Sequence, residues 1–589
     1  MCSYTTIFRI CRQTILKNGC VYDPMNGIDG EIKDICISDG KVVERVNGSA
    51  KTIDLKGRLV MAGGVDMHSH IVGSKVGVGR AMCPEDHRKD PVPKTQHTRS
   101  GVGYTMPNSY VIGYRYSAMG YTTVIEPALP ALKALGSWEE MEDLHNLDSG
   151  LLPLFCNSMI TFHYVKEGDL SGLAAYLAWV IQKVGGLGCK VVNPGGTYAW
   201  AHGVDLRDPD GEVPGWGITP REITRGLCKA VEALGLPHMM HFHPNNLGRV
   251  GNIETTIKQL DSIRDIKGHG GRKHICHLTH MSFETLGNVE GAGTEWKDIA
   301  SGGLEFAKYF NKNKHFTADM GQITFGPATT MTGDGPFEFY LYQLTGGKWT
   351  NIAVDVELPG GAGIVPYTYS PKAAGNSVQW AIPLEFALSV DDVWRCIMST
   401  DHPNAGPFTK YPLVMSWLMS KKQRDTWMED MHKFAHERST LPAIDREWTL
   451  YEIAISTRAA PAKILGINST KGHLGVGADA DIAVYDADPA KVDFAKDPDR
   501  IIKTFSTSYL TFLRGQQVSK KGVVKMADER KVWSLSPELN ESLWERINKE
   551  LEVMINDWYS HSFYNYPVPA RYRSHLEQKI HVDSTSVPA

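Results

Sequence analysis

From about residue 63 to residue 466, short runs of β-forming residues alternate with helical stretches. The β-forming runs read YTTVIEP, CKVVNPGG, HMMHFHP, HICHLTH, HFTADMG and RCIMSTDHP. Repeated strand–helix units of this kind indicate a parallel sheet, either doubly wound or closed into a barrel. Several runs end in His, Lys or Asp, and the catalytic groups of α/β barrels lie at the carboxyl ends of strands. The pattern therefore predicts an α/β protein with a functional site at that end of the sheet, as in a TIM barrel.

Two β-rich segments flank this alternating region. Both contain short β-runs separated by turns, and Asn-Gly and Asp-Gly pairs mark hairpins in the first of them. We predict a composite β-sandwich domain built from the N- and C-terminal segments, residues 1–62 and 467–535, around a barrel of residues 63–466. Residues 536–589 are predicted to form an amphipathic helix followed by a tail.

The composition narrows the classes of function. The formal net charge is −4 and the sequence has no basic run, so we expect no positive electrostatic potential that would attract nucleic acid or anionic membranes. A small-molecule substrate is therefore expected. No apolar run of about 18 residues occurs, so we expect no membrane insertion. The ten cysteines include no C-x-x-C pair, which argues against disulfide and iron–sulfur frameworks. These features predict a cytoplasmic protein.

The motif GGVDMHSH places His68 and His70 two residues apart, directly after an apolar run. Because alternate residues on a strand point to the same face, both imidazoles can reach one metal ion. H-x-H alone is a weak signal in a chain with 22 histidines, and an ordinary structural pair is the competing interpretation. The preceding Gly-Gly-x-Asp and the strand context favour metal ligands.

Lys190 lies in the apolar run GGLGCKVVNPGG, before a glycine loop. Burial of a lysine ammonium is costly, so this side chain must be paired, neutralised or chemically changed. A salt-bridged or snorkelling lysine is the simpler interpretation. The alternative is a carbamate formed with CO2, whose two oxygens bridge two metal ions. We favour this carboxylated lysine.

Two histidine-rich runs, HMMHFHPNNLG and KHICHLTHMSF, supply six candidates: His238, His241, His243, His274, His277 and His280. Not all six can be ligands. His243 is favoured because it is the last strand residue before Pro-Asn-Asn. Strand phase favours His277 and loop position favours His280, so this choice stays open.

The run CIMSTDHPNAGPF ends an apolar strand and places Asp401 at its carboxyl end. An aspartate at that point can ligate one metal ion and also take the proton from a bridging water. A cap before the next helix is the competing interpretation. The ordered set of five motifs is a far stronger signal than any one of them.

The order H-x-H, Lys, two separate His and Asp resembles the amidohydrolase superfamily, which includes dihydropyrimidinase, dihydroorotase and urease. The C-terminal run GHLGVGADADIAVYD looks like the return of the chain into that superfamily's composite β-sandwich. The resemblance implies a (β/α)8 barrel and hydrolysis or formation of an amide C–N bond.

The runs GGVDMHSHIVGSKVGVGR, KVVNPGGTYAW, HFHPNNLG, ADMGQITFG and STDHPNAGPF resemble, more closely, the amidohydrolase subunits of archaeal formylmethanofuran dehydrogenases. That resemblance implies two zinc ions bound by His68, His70, Lys190, His243 and a further histidine, with Asp401 as ligand and proton carrier. It also implies formate and methanofuran or formylmethanofuran as substrates, in one-carbon and methane metabolism. Iron–sulfur subunits and a molybdenum or tungsten pterin subunit would be partner chains, because this sequence has no motif for reducing CO2.

Three alternatives stay open at this point. The corresponding subunit of a bacterial formyltransferase/hydrolase complex is also similar, and it acts on the same kind of formamide in the hydrolytic direction. A stand-alone cyclic-amide hydrolase of the dihydropyrimidinase type is the second alternative. The third is an assembly subunit that kept the barrel and lost catalysis.

Overall fold

The computed structural model describes residues 13–88, 90, 92–93, 95–98, 103–563, 568 and 571–589. Eight strands, each hydrogen-bonded in parallel to the next, form its central sheet. In chain order these barrel strands are Gly64–Asp66, Tyr121–Pro130, Asp148–Leu154, Lys190–Val192, Met240–His243, Cys276–Leu278, Phe316–Asp319 and Cys396–Ile397.

The barrel closes between the segments that follow its first and last strands. Ser69 and His402 form a parallel bridge, and the backbone N–H of His70 donates to the carbonyl oxygen of His402 over 2.7 Å. The side chains after these two strands therefore lie beside each other. The α/β barrel that the sequence predicts is confirmed.

Helices connect the barrel strands and surround them. Their bounds are Ser74–Met82, Ser109–Met119, Ser137–Glu142, Met159–Glu167, Leu170–Val184, Gly196–Ala201, Pro220–Leu234, Ile253–Ile263, Met281–Glu284, Gly303–Lys312, Gly335–Thr345, Ala374–Ser389, Tyr411–Met419, Lys421–Glu429, Phe434–Glu437, Leu450–Ala454 and Ala460–Ile464. Outside the barrel lie Pro498–Ser506, Glu541–Trp558 and Arg571–Ser574. In the part of the chain that the structure describes, no helix is both long and apolar enough to cross a membrane.

A second sheet is assembled from both ends of the chain, as the sequence predicts. Leu59–Ala62 pairs antiparallel with Ile482–Tyr485, which joins the N-terminal and C-terminal halves of the sheet. The buried residues of this sheet form a hydrophobic cluster of their own. Its nine strands are Thr14–Asp23, Ile28–Ser38, Lys41–Val43, Lys51–Asp54, Leu59–Ala62, Ile482–Tyr485, Leu510–Leu513, Gln516–Lys520 and Val523–Val524.

A buried ionic cluster anchors the composite sheet to the barrel. The Lys471 ammonium contacts Asp148 at the start of the third barrel strand, and it lies 2.7 Å from Asp481 Oδ2 and 3.0 Å from Asp479 Oδ2. Arg514 lies 2.7 Å from the same Asp148 carboxylate. Lys41 Nζ lies 2.7 Å from Asp479 Oδ1, so three cations face three carboxylates at this junction.

Two small sheets are inserted between barrel elements. The first is an antiparallel pair, Leu286–Asn288 with Ile299–Ser301. The second follows the seventh barrel strand and pairs Gly361–Tyr369 with both Gly326–Thr332 and Thr350–Ala353. The end of the strand Gly326–Thr332 reaches the barrel mouth, where Thr332 helps to enclose a pocket.

The C-terminal part of the chain packs on the outside of the barrel. The strand Val532–Glu538 pairs in parallel with the third barrel strand, and Glu577–Asp583 pairs in parallel with Val532–Glu538. The predicted boundary at residue 535 therefore falls inside a strand of the barrel sheet. We propose that the composite β domain ends before residue 532, because the chain from that residue onward pairs with the barrel. The helix Glu541–Trp558 contacts the barrel through Asn548, which accepts from Trp179 Nε1 over 2.9 Å.

Candidate metal centre

Polar side chains at the carboxyl ends of the barrel strands enclose one small buried pocket. Its lining includes six of the seven residues predicted from the sequence: His68, His70, Lys190, His243, His280 and Asp401. Lys190 begins the fourth barrel strand, and the other five end or follow four further strands, so closure of the barrel brings together groups that are far apart in the chain. All six are buried.

His68, His70 and Asp401 converge on one point. Asp401 Oδ1 lies 3.1 Å from His68 Nε2 and 3.4 Å from His70 Nε2. Two ligands of a tetrahedral ion with bonds of about 2.0–2.1 Å are about 3.3 Å apart. The three ligand atoms therefore have the spacing that a single zinc-sized cation needs.

Two buried carboxylates contact the Nδ1 atoms of His68 and His70, on the side of each ring opposite to Asp401. Glu126 Oε1 lies 2.8 Å from His70 Nδ1, and Asp319 Oδ2 lies 3.0 Å from His68 Nδ1. A carboxylate on one ring nitrogen fixes the imidazole tautomer and directs the other nitrogen to a metal ion. Burial lowers the pKa of His68, but Asp319 and Asp401 outweigh it and raise that pKa to about 9. This cluster attracts positive charge.

Asp401 occupies a left-handed backbone conformation, with φ of 47°, at the turn after the eighth strand. Its Oδ2 accepts from Asn404 Nδ2 over 2.8 Å, so the carboxylate is held in place while Oδ1 faces the pocket. Burial raises the pKa of Asp401, but His68 and His280 outweigh burial and hold that pKa well below its usual range. Asp401 is therefore an anion available as a ligand or as a base.

Lys190 is 1% exposed, and its Nζ has no hydrogen-bond partner among the described residues. It is the register partner of His241 on the fifth strand, and its side chain reaches the same pocket as the candidate ligands. Burial lowers the pKa of Lys190 to about 8, although Asp401 and Asp319 oppose the shift. A free ammonium here would be desolvated and unpaired, which supports a chemically changed lysine.

His243 and His280 form a second group with Glu284, a residue that sequence analysis missed. The ring centroids of the two histidines are 4.7 Å apart. Glu284 Oε1 lies 3.9 Å from His243 Nε2 and 3.8 Å from His280 Nδ1. These three ligand atoms are close enough to share one ion.

Of His277 and His280, only His280 lines the pocket. His277 is the register partner of His241 and points into the barrel below the pocket, where Nδ1 lies 2.8 Å from Thr317 Oγ1 and Nε2 lies 3.3 Å from Asp319 Oδ2. His280 lies two residues beyond its strand, has a left-handed φ of 36°, and lines the pocket.

Other histidines form a chain beneath the pocket. His238 Nδ1 lies 3.0 Å from the carbonyl oxygen of Ile464, and His238 Nε2 lies 3.0 Å from His241 Nδ1. His241 Nε2 lies 3.1 Å from His68 Nδ1. His238 and His241 therefore support His68 without lining the pocket themselves. His274, the remaining histidine of these two runs, is also absent from the pocket lining.

Besides Glu284, sequence analysis missed two orienting carboxylates. Glu126 is the lone charged residue in the strand Tyr121–Pro130, and Asp319 ends the strand Phe316–Asp319. A carboxylate in an otherwise apolar barrel strand was the available signal for both, since its burial needs a partner. Glu284 lies on a four-residue helix and gave no comparable signal.

The buried groups that line this pocket, together with Glu284 beside it, fit metal ions. Lys190 Nζ, His280 Nδ1, Asp401 Oδ1 and both carboxylate oxygens of Glu284 lack a hydrogen-bond partner among the described residues. Buried polar atoms are almost always paired, so a cluster of unpaired nitrogen and oxygen atoms indicates a cation site. Imidazole and carboxylate are the donors that zinc accepts.

Fold and pocket together define the class of the protein: an α/β-barrel enzyme whose mouth can hold metal ions. Residues 51–519 match the amidohydrolase family, and the chain belongs to that family. The family resemblance predicted from the motifs is thereby confirmed.

Two relatives are similar to this chain over nearly its whole length. The chain is 45% identical over 578 residues to Protein FwdA of Methanocaldococcus jannaschii, covering 97% of this chain and 99% of that protein. It is 34% identical over 549 residues to FhcA, a component of the formyltransferase/hydrolase complex Fhc of Methylorubrum extorquens, covering 92% of this chain and 94% of FhcA. A chain of the FhcABCD crystal structure from the same bacterium, in complex with methylofuran, matches with a TM-score of 0.84 and 31% identity, covering 97% of this chain and 100% of that one.

Proposed function

We propose that this chain is the amidohydrolase subunit, the counterpart of FwdA, in a formylmethanofuran dehydrogenase: a dinuclear-metal enzyme that acts on a formamide. It would condense formate with the amine of methanofuran, or hydrolyse formylmethanofuran in the reverse direction. The observation that carries the proposal is the convergence of His68, His70, Lys190, His243 and Asp401 in one pocket. The near full-length similarity to FwdA and to FhcA supports this choice of substrate.

We propose two zinc ions in the pocket. His68, His70 and Asp401 would hold one ion, and His243 with His280 would hold the other. His277 is the less suitable candidate because both of its ring nitrogens are engaged below the pocket. Lys190, as a carbamate, would supply two oxygens between the two ions. Only a neutral amine adds to CO2, with formation of an N–C bond and loss of one proton, and the lowered pKa of Lys190 supports that reaction.

The metal ions, when bound, would supply Lewis-acid polarisation of a carbonyl and would lower the pKa of a water molecule in the pocket. Asp401 accepts the proton of the attacking water. Its Oδ1 faces the pocket beside His68 and His70, and its Oδ2 accepts from Asn404 Nδ2, which holds the carboxylate in position for this transfer. In hydrolysis the same carboxylate then delivers the proton to the departing amine nitrogen, and formate is the other product. The strand Gly326–Thr332, whose end lines the small pocket, would limit access of bulk water and so favour amide synthesis.

We also propose that this chain works with partner subunits. FhcA is part of a complex with further subunits, FhcABCD. By its similarity to FwdA, this chain would assemble with iron–sulfur subunits and with a molybdenum or tungsten pterin subunit, which together would supply the reduction of CO2. We also propose a cytoplasmic location, which fits the eight described cysteines, all of them free thiols.

A formamide assay on the native complex tests this function. The complex, purified from its source, should release formate from the N-formyl derivative of an aminomethylfuran, lose that activity on treatment with a chelator, and regain it with zinc. Turnover of dihydrouracil or hydantoin by the isolated chain, without formamide turnover, would instead identify a stand-alone cyclic-amide hydrolase. A metal-free, inactive native complex would identify an assembly subunit.

A further inference from the structure

Glu284 is a carboxylate buried beside the histidines of the candidate metal pocket. It is 0% exposed at the end of the helix Met281–Glu284, and neither of its oxygens has a hydrogen-bond partner among the described residues. Glu126, a buried carboxylate of the same barrel, instead accepts from three backbone N–H groups. The position of Glu284 therefore needs a cation or a proton.

The groups around Glu284 favour a cation. It lies beside His243 and His280, and His280 Nδ1 is itself without a hydrogen-bond partner in the described part of the chain. A second buried carboxylate, Asp334, lies 3.3 Å from His243 Nε2. Two carboxylates that face the same imidazole in a buried site repel each other, and a metal ion between the ligand atoms relieves that repulsion.

The distances permit a shared ion. Two ligands of one ion, with bonds of about 2.0–2.1 Å, can lie at most about 4.2 Å apart. The Glu284 Oε1 atom lies 3.9 Å from His243 Nε2 and 3.8 Å from His280 Nδ1, both inside that limit. Asp334 is less suited to this role because, among the described residues, its carboxylate is within ion-pair distance of His243 but not of His280, whereas Glu284 reaches both.

We propose that Glu284 is a metal ligand of the ion held by His243 and His280. This inference rests on the proposed dinuclear centre and adds a ligand that the sequence motif does not contain. The two halves of the centre then differ: Asp401 supplies the carboxylate beside His68 and His70, and Glu284 supplies the carboxylate beside His243 and His280. Each ion has a protein carboxylate of its own, in addition to the Lys190 carbamate.

Metal analysis of a Glu284→Gln variant, purified as the native complex and dialysed against a weak chelator, tests the proposal. Glutamine keeps the size of the side chain but removes its charge. We expect about two metal ions per chain in the wild type and about one in the variant, with the weaker ion bound at least about tenfold less tightly. Cobalt-loaded enzyme should lose the part of its visible spectrum that belongs to the His243–His280 half. A Glu284→Asp variant, which keeps the carboxylate, should recover part of the second ion.

The matched control is Glu338→Gln. Glu338 is also 0% exposed, but its Oε2 accepts from Thr330 Oγ1 over 2.8 Å, and no ion pair joins it to a histidine of the described chain. This variant should keep both metal ions. Two tightly bound ions and an unchanged cobalt spectrum in a folded Glu284→Gln variant would overturn the proposal and identify Glu284 as a protonated acid. A wild-type protein without metal would instead overturn the proposed function itself.

Discussion

Nδ1 of His70 lies 2.8 Å from Oε1 of Glu126, a residue 56 positions further along the chain on the second barrel strand. The other oxygen of Glu126 accepts from the backbone N–H of Ile71 over 2.8 Å and from that of Val72 over 3.2 Å. One carboxylate therefore holds both the ring of His70 and the loop that follows it. This contact fixes the proton on Nδ1 and leaves Nε2 free to face Asp401.

A Glu126→Gln variant should weaken metal binding by about 10–100-fold, because loss of a carboxylate behind a ligating histidine typically has that effect. Competition with a chelator measures the change. Glu140→Gln is the control, since Glu140 holds the same loop through the N–H of Gly73 over 3.0 Å but contacts Arg80 instead of a histidine. Equal affinity in the two variants would contradict the role of Glu126.

Two neighbouring histidines should respond differently to replacement by alanine. His243→Ala should remove metal and activity together, because His243 lines the pocket. His238→Ala should keep the metal with a modest loss of activity, because the hydrogen bonds of His238 go to Ile464 and His241 below the pocket. Metal content and thermal stability of both variants decide the question. Severe metal loss from both would mean that the fifth strand is assigned wrongly.

Asp401→Asn should keep most of the metal and lower formamide turnover by at least about 10²-fold, the usual scale for loss of general acid–base help. The amide oxygen can still face His68 and His70, but the side chain cannot take a proton. Steady-state turnover at saturating substrate, with metal content measured in parallel, checks this result. Near-normal turnover would exclude Asp401 from proton transfer.

The ionic junction between barrel and composite sheet should be sensitive to Lys471. Lys471→Met leaves three carboxylates at this junction with Arg514 and the partly exposed Lys41 as counter-ions, and removal of one member of a buried ion pair costs about 3–5 kcal/mol. The free energy of unfolding in denaturant measures this loss. Lys491→Met is the control, because the Lys491 side chain is 78% exposed and solvent screens its pair with Asp488, so this variant should unfold at nearly the same denaturant concentration as the wild type. Equal effects of the two substitutions would contradict the importance of burial here.

The barrel strands could be predicted because each one has a sequence pattern that lies within a single short segment of the chain. Each β-like run that ended in a candidate ligand became a barrel strand or its end, because apolar runs and polar strand ends are visible in one segment of chain. The choice between His277 and His280 was not visible, since it depends on the left-handed turn at His280 that carries its ring to the pocket. The pairing of Glu577–Asp583 with Val532–Glu538 was missed for a related reason: a polar strand on the outside of a barrel has no hydrophobic alternation of its own.

The central claim is a dinuclear centre bridged by a carboxylated Lys190. Carbon-13 NMR of the native metal-loaded complex, prepared with ¹³CO2, tests it most directly, together with metal analysis of Lys190→Ala. We expect a carbamate signal in the wild type that disappears in Lys190→Ala, and that variant should lose both metal ions and its activity, with partial rescue by acetate or propionate. An active wild-type protein with two metal ions and no carbamate signal on Lys190 would contradict the claim.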